Sequence, residues 1–236
     1  MRPDHSPEGT ARKESNMVNI AIDGPAGAGK STIARKAASD MGYIYVDTGA
    51  MFRAMALHML RLGIDPDDAA GIAAAADGAE IDIVYEDGVQ CVMLGGENVN
   101  GLIRTEEISN AASKVAVVPE VRKKMLMLQR EIAKKHDVIM DGRDIGSAVL
   151  PDADLKIYLT ASVDVRADRR YKENLGKGME ADLESIKADI RERDERDMTR
   201  SEAPLTRVPD AVEIDSSDMS IAEVTSRIEE LIRGIG

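Results

Sequence analysis

A glycine-rich segment near the start of the sequence carries the residues with the clearest chemistry. It follows an apolar run, 18–23, and precedes a helical pattern, so backbone N–H groups and a helix N-terminus could together bind phosphate. Lys30 would reach the β- and γ-phosphates of ATP, and the Ser31 hydroxyl would ligate Mg²⁺. A chance glycine-rich turn is the weaker alternative. The segment fits G-x-x-x-x-G-K-[ST], and with the next threonine it gives the predicted ATP site: Gly24, Pro25, Ala26, Gly27, Ala28, Gly29, Lys30, Ser31 and Thr32.

This phosphate-binding segment does not by itself identify the reaction. The sequence has no Asn/Thr-Lys-x-Asp segment, which reads guanine in GTPases, and no Leu-Ser-Gly-Gly signature of transport ATPases. A small chain with an arginine-rich C-terminal third instead favours a kinase that acts on a small molecule.

The first candidate for binding a phosphate acceptor follows a second apolar run, 43–47. Thr48 and Arg53 come just after this run, and ligands of open parallel sheets gather beyond the carboxyl ends of the strands. Arg53 interrupts an otherwise apolar helical stretch. Arg53 therefore either binds the acceptor or is a solvated charge on the outer face of the helix. The sequence supports the two interpretations about equally.

The second candidate is the segment MDGRDIG, 140–146, which follows another apolar run. Asp141, Arg143 and Asp144 are crowded at the end of this run, which packing alone does not explain. An ordinary polar turn is the alternative. Asp141 would either organise the Mg²⁺ shell or act as an orienting hydrogen-bonding group.

The third candidate is the charged segment 191–200. Its spacing i, i+3, i+4, i+7 places three guanidinium groups and a carboxylate on one helix face. These residues are Arg193, Arg196, Asp197 and Arg200. A salt-bridged solvent helix is the common explanation of such a pattern. The flanking glycines also suit a lid that brings arginines onto transferring phosphates.

The histidines indicate which kind of acceptor the chain would use. His5, His58 and His136 all lie outside the three candidate segments. A kinase that acts on an alcohol usually needs a base, whereas a phosphate monoester already carries an anionic oxygen and needs cations around it. The residues available therefore suit a nucleoside monophosphate better than a sugar.

Composition excludes several other classes of protein. The formal charge is −12, which argues against general binding of nucleic acids or anionic membranes. The single cysteine, Cys91, excludes an intramolecular disulfide, suits a cytoplasmic location and is expected to be buried. No apolar run is long enough to span a membrane. Residues 1–16 are polar and predict a flexible tail.

The order of the patterns predicts an α/β fold. Alternating strand and helix patterns indicate parallel βαβ units, with later strands at 137–141, 155–160 and 211–216. Between them, 79–104 alternates around Asp87-Gly88 and predicts an antiparallel hairpin insertion. Helices are expected at 105–118, from Pro119 to 135, across the charged segments after 160, and after a capping box at Ser220 and Glu223.

Several of these segments together resemble bacterial cytidylate kinase. They are DGPAGAGKST, DTGAMFRA, IRTEEISNAAS, MDGRDIG, KIYLTAS, RDERDMTR, APL and a late DSS, and they occur in the family's order from about residue 17. The resemblance implies a P-loop NTPase fold with a five-stranded parallel sheet, over 17–236. It also implies a monophosphate-binding lobe at 48–118, with the β insertion at about 79–104, and a helical lid at about 171–203. A monomer that uses ATP and Mg²⁺ is expected.

The resemblance also assigns roles to individual residues. Arg53, Arg143 and Arg200 would hold the acceptor phosphate. Ser113, Arg122 and Asp144 would read cytosine, although Ser113 and Arg122 would otherwise be taken for helix-surface residues. Asp197 would bind the sugar with Thr48 nearby. Taken with the phosphate-loop motif and the spacing of the charged segment, the expected catalytic cations are Lys30, Arg143, Arg193, Arg196 and Arg200. The family often has serine in place of Thr48 and tyrosine in place of Phe52, so a hydroxyl is retained at the first position and lost at the second.

The expected reaction is transfer of the ATP γ-phosphate to CMP, with dCMP as a second acceptor and UMP as a poor one. A phosphate-loop kinase for a different small molecule is the rival within enzymes. An ATP-responsive binding module is the rival outside them, but it would have no use for the arginine-rich face at 193–200.

Overall fold

The structure, a computed structural model, describes residues 17–86 and 88–235. The predicted tail, 1–16, and Asp87 of the predicted hairpin lie outside the described residues. The described strands are β1 (Asn19–Asp23), β2 (Ile44–Asp47), β3 (Ile81–Glu86), β4 (Val89–Leu94), β5 (Glu97–Asn98), β6 (Val138–Gly142), β7 (Leu155–Thr160) and β8 (Val212–Asp215). The described α-helices are α1 (Lys30–Met41), α2 (Thr48–Arg61), α3 (Ala69–Ala76), α4 (Glu106–Val115), α5 (Pro119–Lys135), α6 (Val163–Gly176), α7 (Leu183–Thr199) and α8 (Ile221–Arg233).

The main sheet is parallel, with the strand order β2-β6-β1-β7-β8. Alternate residues of β1 enter different cores, as the period of a strand requires. Ile20 and Ile22 pack with α1 and α8, whereas Ala21 faces the core formed with α2, α4 and α5. Helices therefore cover both faces, and the predicted five-stranded α/β fold is confirmed.

The insertion forms a second sheet, with the antiparallel order β3-β4-β5. Its hairpin turns between Glu86 and Val89, where the sequence predicts it. Two elements escaped prediction: the alanine-rich helix α3, and a π-helical turn, Ile145–Val149, that follows β6. For the segment after β6 the sequence predicted a functional site, with an ordinary polar turn as the alternative, and neither interpretation included a helical turn.

Local signals fixed several helix ends. Pro119 opens α5, and the Ser220–Glu223 capping box opens α8 as predicted. Helix α7 ends at Thr199, so Arg200 lies just beyond the helix rather than on its face.

Cys91 is buried, as expected. In the part of the chain that the structure describes, no helix combines the length and apolar character needed to cross a membrane.

Candidate active site

The glycine-rich loop joins the central strand β1 to α1. Gly24 adopts φ 149°, and a Cβ there would lie 1.9 Å from the carbonyl oxygen of Leu159 on β7. Gly29, at the cap of α1, adopts φ 92°, a left-handed conformation that suits glycine. The loop can therefore turn its N–H groups inward above a helix N-terminus, which makes an anion-binding site.

Lys30 and Ser31 occupy the start of α1 beneath this loop. Lys30 Nζ donates to the carbonyl oxygen of Pro25 at 2.7 Å, so the ammonium folds back onto the loop. Burial, helped by the neighbouring Arg143, lowers the pKa of Lys30 well below its ordinary value. An anion bound in the loop would replace the carbonyl as partner and favour the charged ammonium.

Asp141, at the end of β6, is held by two hydroxyl groups. Ser31 Oγ donates to one carboxylate oxygen at 2.9 Å, and Tyr45 Oη donates to the other at 2.8 Å. Burial, followed by the nearby Asp47 carboxylate, raises the pKa of Asp141 to about 6. A cation beside this carboxylate would offset both effects.

The donors around Asp141 fit Mg²⁺. A serine hydroxyl and a buried carboxylate are the hard oxygen donors that Mg²⁺ takes, usually alongside waters and substrate phosphates. Among residues 17–86 and 88–235, no three His, Cys, Asp or Glu side chains cluster closely enough to hold a metal by themselves. Ser31 and Asp141 would therefore supply part of a shell that a phosphate completes.

Thr48 and Arg53 lie on the first turns of α2, beside Asp141. Thr48 Oγ1 donates to the carbonyl oxygen of Asp141 at 2.7 Å. The guanidinium of Arg53 makes one long contact with Asp47, at 3.3 Å, and its buried Nε has no hydrogen-bond partner among the described residues. Arg53 therefore faces the cleft rather than solvent, with donor capacity to spare.

Arg143, Arg193 and Asp197 form a second group of charged residues that lines the cleft. Arg143 Nε donates to Asp197 at 2.8 Å. Burial and the adjacent Arg143 lower the pKa of Arg193 to about 10, and Arg193 Nε is another buried donor left unpaired within the described chain. The group carries more positive charge than its single carboxylate neutralises, so it suits an anionic ligand.

Asp144 joins Arg122 of α5 to Arg200. It accepts from Arg122 Nη2 on one side and from Arg200 Nη2, at 3.2 Å, on the other. Arg200 also donates from Nε and Nη2 to the carbonyl oxygen of Ala203, at 2.9 and 2.6 Å. The second residue after β6 is thus a carboxylate that links α5 to the residue just beyond the end of α7.

Most of the predicted site residues meet in one cleft of about 690 Å³. Predicted residues that line it are Ala26, Gly27, Gly29, Lys30, Ser31, Thr32, Thr48, Arg53, Ser113, Asp141, Arg143, Asp144, Arg193, Asp197 and Arg200. Gly24, Pro25 and Ala28 are buried within the loop.

Two predicted arginines lie apart from the cleft lining. Arg122 packs behind the wall, with its guanidinium 5.9 Å from the ring of Phe52 and its charge on Asp144. Arg196 pairs with Glu192 one turn earlier in α7, at 2.5 Å. Of the three arginines expected on one helix face, Arg193 and Arg200 reach the cleft.

Three arginines of α6 line the cleft without having been predicted: Arg166, Arg169 and Arg170. Arg166 is buried, donates to the phosphate-loop carbonyl of Ala26 at 2.9 Å and pairs with Asp194 of α7 at 2.6 Å. The i, i+3, i+4 spacing of these arginines, just after β7, was the available signal. It was hidden in a segment of alternating charges.

The arrangement can bring two anions together without a base. The cleft is lined both by the phosphate loop and by Arg53, Arg143, Arg193 and Arg200. No histidine is among the described residues that line it. Cations placed in a partly dry cleft stabilise negative charge more strongly than they would in water. The geometry therefore suits phosphoryl transfer between anionic substrates.

Comparisons with known proteins agree with this geometry. The family model for cytidylate kinase matches residues 20–234. The cytidylate kinase of Caldicellulosiruptor bescii is 49% identical over 214 residues, covering 91% of this chain and 95% of the relative. That of Pediococcus pentosaceus is 47% identical over 220 residues, covering 92% and 96%. An uncharacterised protein from Eubacterium ventriosum shares the fold, with a TM-score of 0.53 at 14% identity, over 92% of this chain and 99% of that one. The chain belongs to the cytidylate kinase family.

Proposed function

We propose that the protein transfers the γ-phosphoryl group of ATP to CMP, giving CDP and ADP, with dCMP as a second acceptor and UMP as a poor one. The observation that carries this proposal is that one cleft is lined both by a phosphate loop and by guanidinium groups whose donors lack partners among the described residues. The cytidylate kinase relatives, with 46–49% identity, support cytosine as the acceptor base.

On the donor side, residues 24–32 hold the phosphates of ATP. Lys30 leaves the Pro25 carbonyl, 2.7 Å away, and turns to the β- and γ-phosphates. Ser31 and Asp141 hold the Mg²⁺ ion, which when bound neutralises charge on the phosphate oxygens. The excess positive charge of the cleft supports this assignment, because it needs an anion to balance it.

On the acceptor side, Arg53, Arg143 and Arg200 bind the phosphate of CMP. Asp144 accepts from the exocyclic amino group of cytosine, a donor that uracil lacks. Ser113 lines the same cleft and Arg122 pairs with Asp144, which supports their assignment as the other base-reading residues. Asp197 and Thr48 lie beside the sugar.

Transfer needs positioning and charge neutralisation rather than proton abstraction. The acceptor phosphate is already ionised, so its oxygen attacks the γ-phosphorus in line while the bond to the ADP oxygen breaks. Lys30, Arg143, Arg193 and Arg200 stabilise the charge on the transferring group. A role for Arg196 stays a prediction, because it requires the ion pair with Glu192 to open.

Closure of the cleft is part of this proposal. Residues 48–118 would form the lobe that binds the monophosphate, and residues 171–203 the lid that excludes water from the γ-phosphate. Together with the core they form the kinase domain, 17–236. The monomeric state and the cytoplasmic location expected from the sequence stay predictions.

A panel of nucleotides tests the proposal. ADP release would be coupled to a spectroscopic readout with ATP and Mg²⁺, and CMP, dCMP, UMP, AMP and GMP would be compared. We expect rapid turnover with CMP and dCMP and slow turnover with UMP. Turnover with AMP or GMP instead would retain the phosphate loop but refute cytosine reading by Ser113, Arg122 and Asp144. Tight ATP binding without any turnover would favour the binding module.

A further inference from the structure

Strand β2 lies at one edge of the main sheet, just before the residues proposed to bind the acceptor. Its outward-facing backbone groups need hydrogen-bond partners. Among the described strands β2 has one neighbour, β6, and alternate residues of a strand direct their backbone groups to opposite edges. The N–H of Ile44 faces the β6 side, where it donates to the carbonyl of Asp137 at 2.9 Å. Tyr45 and Asp47 therefore turn their backbone groups outward, and buried groups of this kind require hydrogen bonds.

The insertion supplies bonds to three of these four groups, and it does so with side chains instead of a backbone ladder. Tyr85 and Gln90 are cross-strand partners in the β3–β4 hairpin, so they lie side by side on one face. Tyr85 Oη donates to the carbonyl oxygen of Tyr45 at 3.2 Å. Gln90 Oε1 accepts from the N–H of Asp47 at 2.7 Å, and its Nε2 donates to the carbonyl oxygen of Asp47 at 3.4 Å.

Gln90 is itself fixed in place. Its side chain is buried, and Asn100 Nδ2 donates to its backbone carbonyl oxygen at 2.7 Å. A single amide thus satisfies both backbone groups of Asp47, as a neighbouring strand would do. The link joins residues that are 43 positions apart in the sequence.

Asp47 occupies a position from which this link can act on the acceptor site. Its Oδ1 accepts from the N–H of Ala50 at 2.8 Å and so caps α2, while its Oδ2 contacts Arg53. The next residue, Thr48, bonds to the backbone of Asp141. Movement of the Asp47 backbone would therefore shift the groups assigned to the acceptor phosphate and sugar.

We propose that Gln90 is a positioning residue for the acceptor nucleotide, through which the insertion holds Asp47 and thereby Thr48 and Arg53. The proposal rests on the proposed function, since it assigns the acceptor to this end of the cleft. Without the amide, the turn between β2 and α2 gains freedom that acceptor binding must remove. The phosphate loop joins β1 to α1 rather than β2 to α2, so loss of the Gln90 amide should leave the affinity of the protein for ATP unchanged.

The test is to replace Gln90 by methionine, which keeps the side-chain length and removes both bonds. The KM for CMP would be measured at saturating ATP, the KM for ATP at saturating CMP, and folding by thermal unfolding. We expect the KM for CMP to rise about tenfold, the scale set by an unpaired buried backbone group, with the KM for ATP unchanged.

The matched control is Gln129→Met. Gln129 is a buried glutamine of α5 whose Nε2 has no partner among the described residues, so the same chemical change there should leave both KM values unchanged. If Gln90→Met does not fold, Gln90→Glu serves instead, because it retains the acceptor for the Asp47 N–H and replaces the donor by a charged oxygen that repels the Asp47 carbonyl. We again expect the KM for CMP to rise and the KM for ATP to stay unchanged.

Two results would overturn the positioning role of Gln90 alone. One is an unchanged KM for CMP in a folded variant, and the other is an equal rise in both KM values, which would indicate general damage. Absence of wild-type turnover with every monophosphate would overturn the proposed function and this role with it. The wild-type assay therefore separates the two failures.

Discussion

Removing one partner of the Arg166–Asp194 ion pair should lower both the stability of the protein and its turnover. Arg166 is 4% exposed, and its two terminal nitrogens lie 3.1 and 2.6 Å from the Asp194 carboxylate. Asp194→Ala leaves the guanidinium buried, with the carbonyls of Ala26 and Ala161 as remaining partners. Breaking a buried pair from one side costs about 3–5 kcal/mol. Because Arg166 keeps its two bonds to backbone carbonyls, we expect a loss of stability at the lower end of this range.

The corresponding change in melting temperature is measurable by calorimetry. In a chain of this size, 1 kcal/mol corresponds to about 2–4 °C, so Asp194→Ala should lower Tm by about 6–12 °C. The control is Asp40→Ala, the same substitution in an exposed helical pair with Lys36, and it should change Tm little.

A double replacement separates stability from positioning. Arg166→Met with Asp194→Leu leaves no buried charge, so most of the lost Tm should return. The double variant also loses the bond from Arg166 to the Ala26 carbonyl, which Asp194→Ala retains, so the phosphate loop loses this link to α6 and turnover should be reduced. A folded Asp194→Ala variant with the Tm and turnover of the wild type would refute this reasoning.

Three further predictions concern other parts of the molecule. Arg200→Ala should lower kcat/KM for CMP by about 10²–10³ in steady-state assays, as expected for a lost charged donor in a dry site; wild-type kcat/KM would contradict its assignment. Gly24→Ala should abolish ATP binding measured by calorimetry, because its Cβ would meet the Leu159 carbonyl oxygen at 1.9 Å. Burial and the nearby Lys124 lower the pKa of His58, so the unfolding free energy should fall as pH drops below about 6.5. In urea unfolding, the free energy of unfolding of His58→Gln should fall less with decreasing pH than that of the wild type. A variant with the wild-type pH dependence would contradict this prediction.

Features with a local cause were predictable from the sequence. The phosphate loop follows from glycines and a lysine at fixed spacing, and α5 and α8 begin at a proline and a capping box. The insertion followed from alternation around a tight turn. Each of these signals lies within a few residues of the structure that it determines, so a single sequence is enough to read it.

Features with a distant cause were not predictable in this way. The π-helical turn after β6 begins where Asp23 accepts from the N–H groups of Ile145 and Gly146, across 122 and 123 positions. The role of Arg166 depends on contacts 28 and 140 positions away. Helix α3 showed no clear amphipathic pattern because six of its eight residues are alanine. The resemblance to a family supplied Ser113 and Arg122, which look like surface residues by themselves.

The central place of β1 in the sheet has a consequence for synthesis of the chain on the ribosome. Both neighbours of β1 come much later in the sequence: Val18, beside β1, bonds to Asp137, 119 residues further on. At about 5–20 residues per second, that interval lasts roughly 6–24 s. Throughout it, the apolar strand that carries the phosphate loop has no strand to pair with. The β3–β4 hairpin pairs within its own sequence and is complete before β6 is made, so nascent chains should gain protection from proteases in the insertion before they gain it in the nucleotide site.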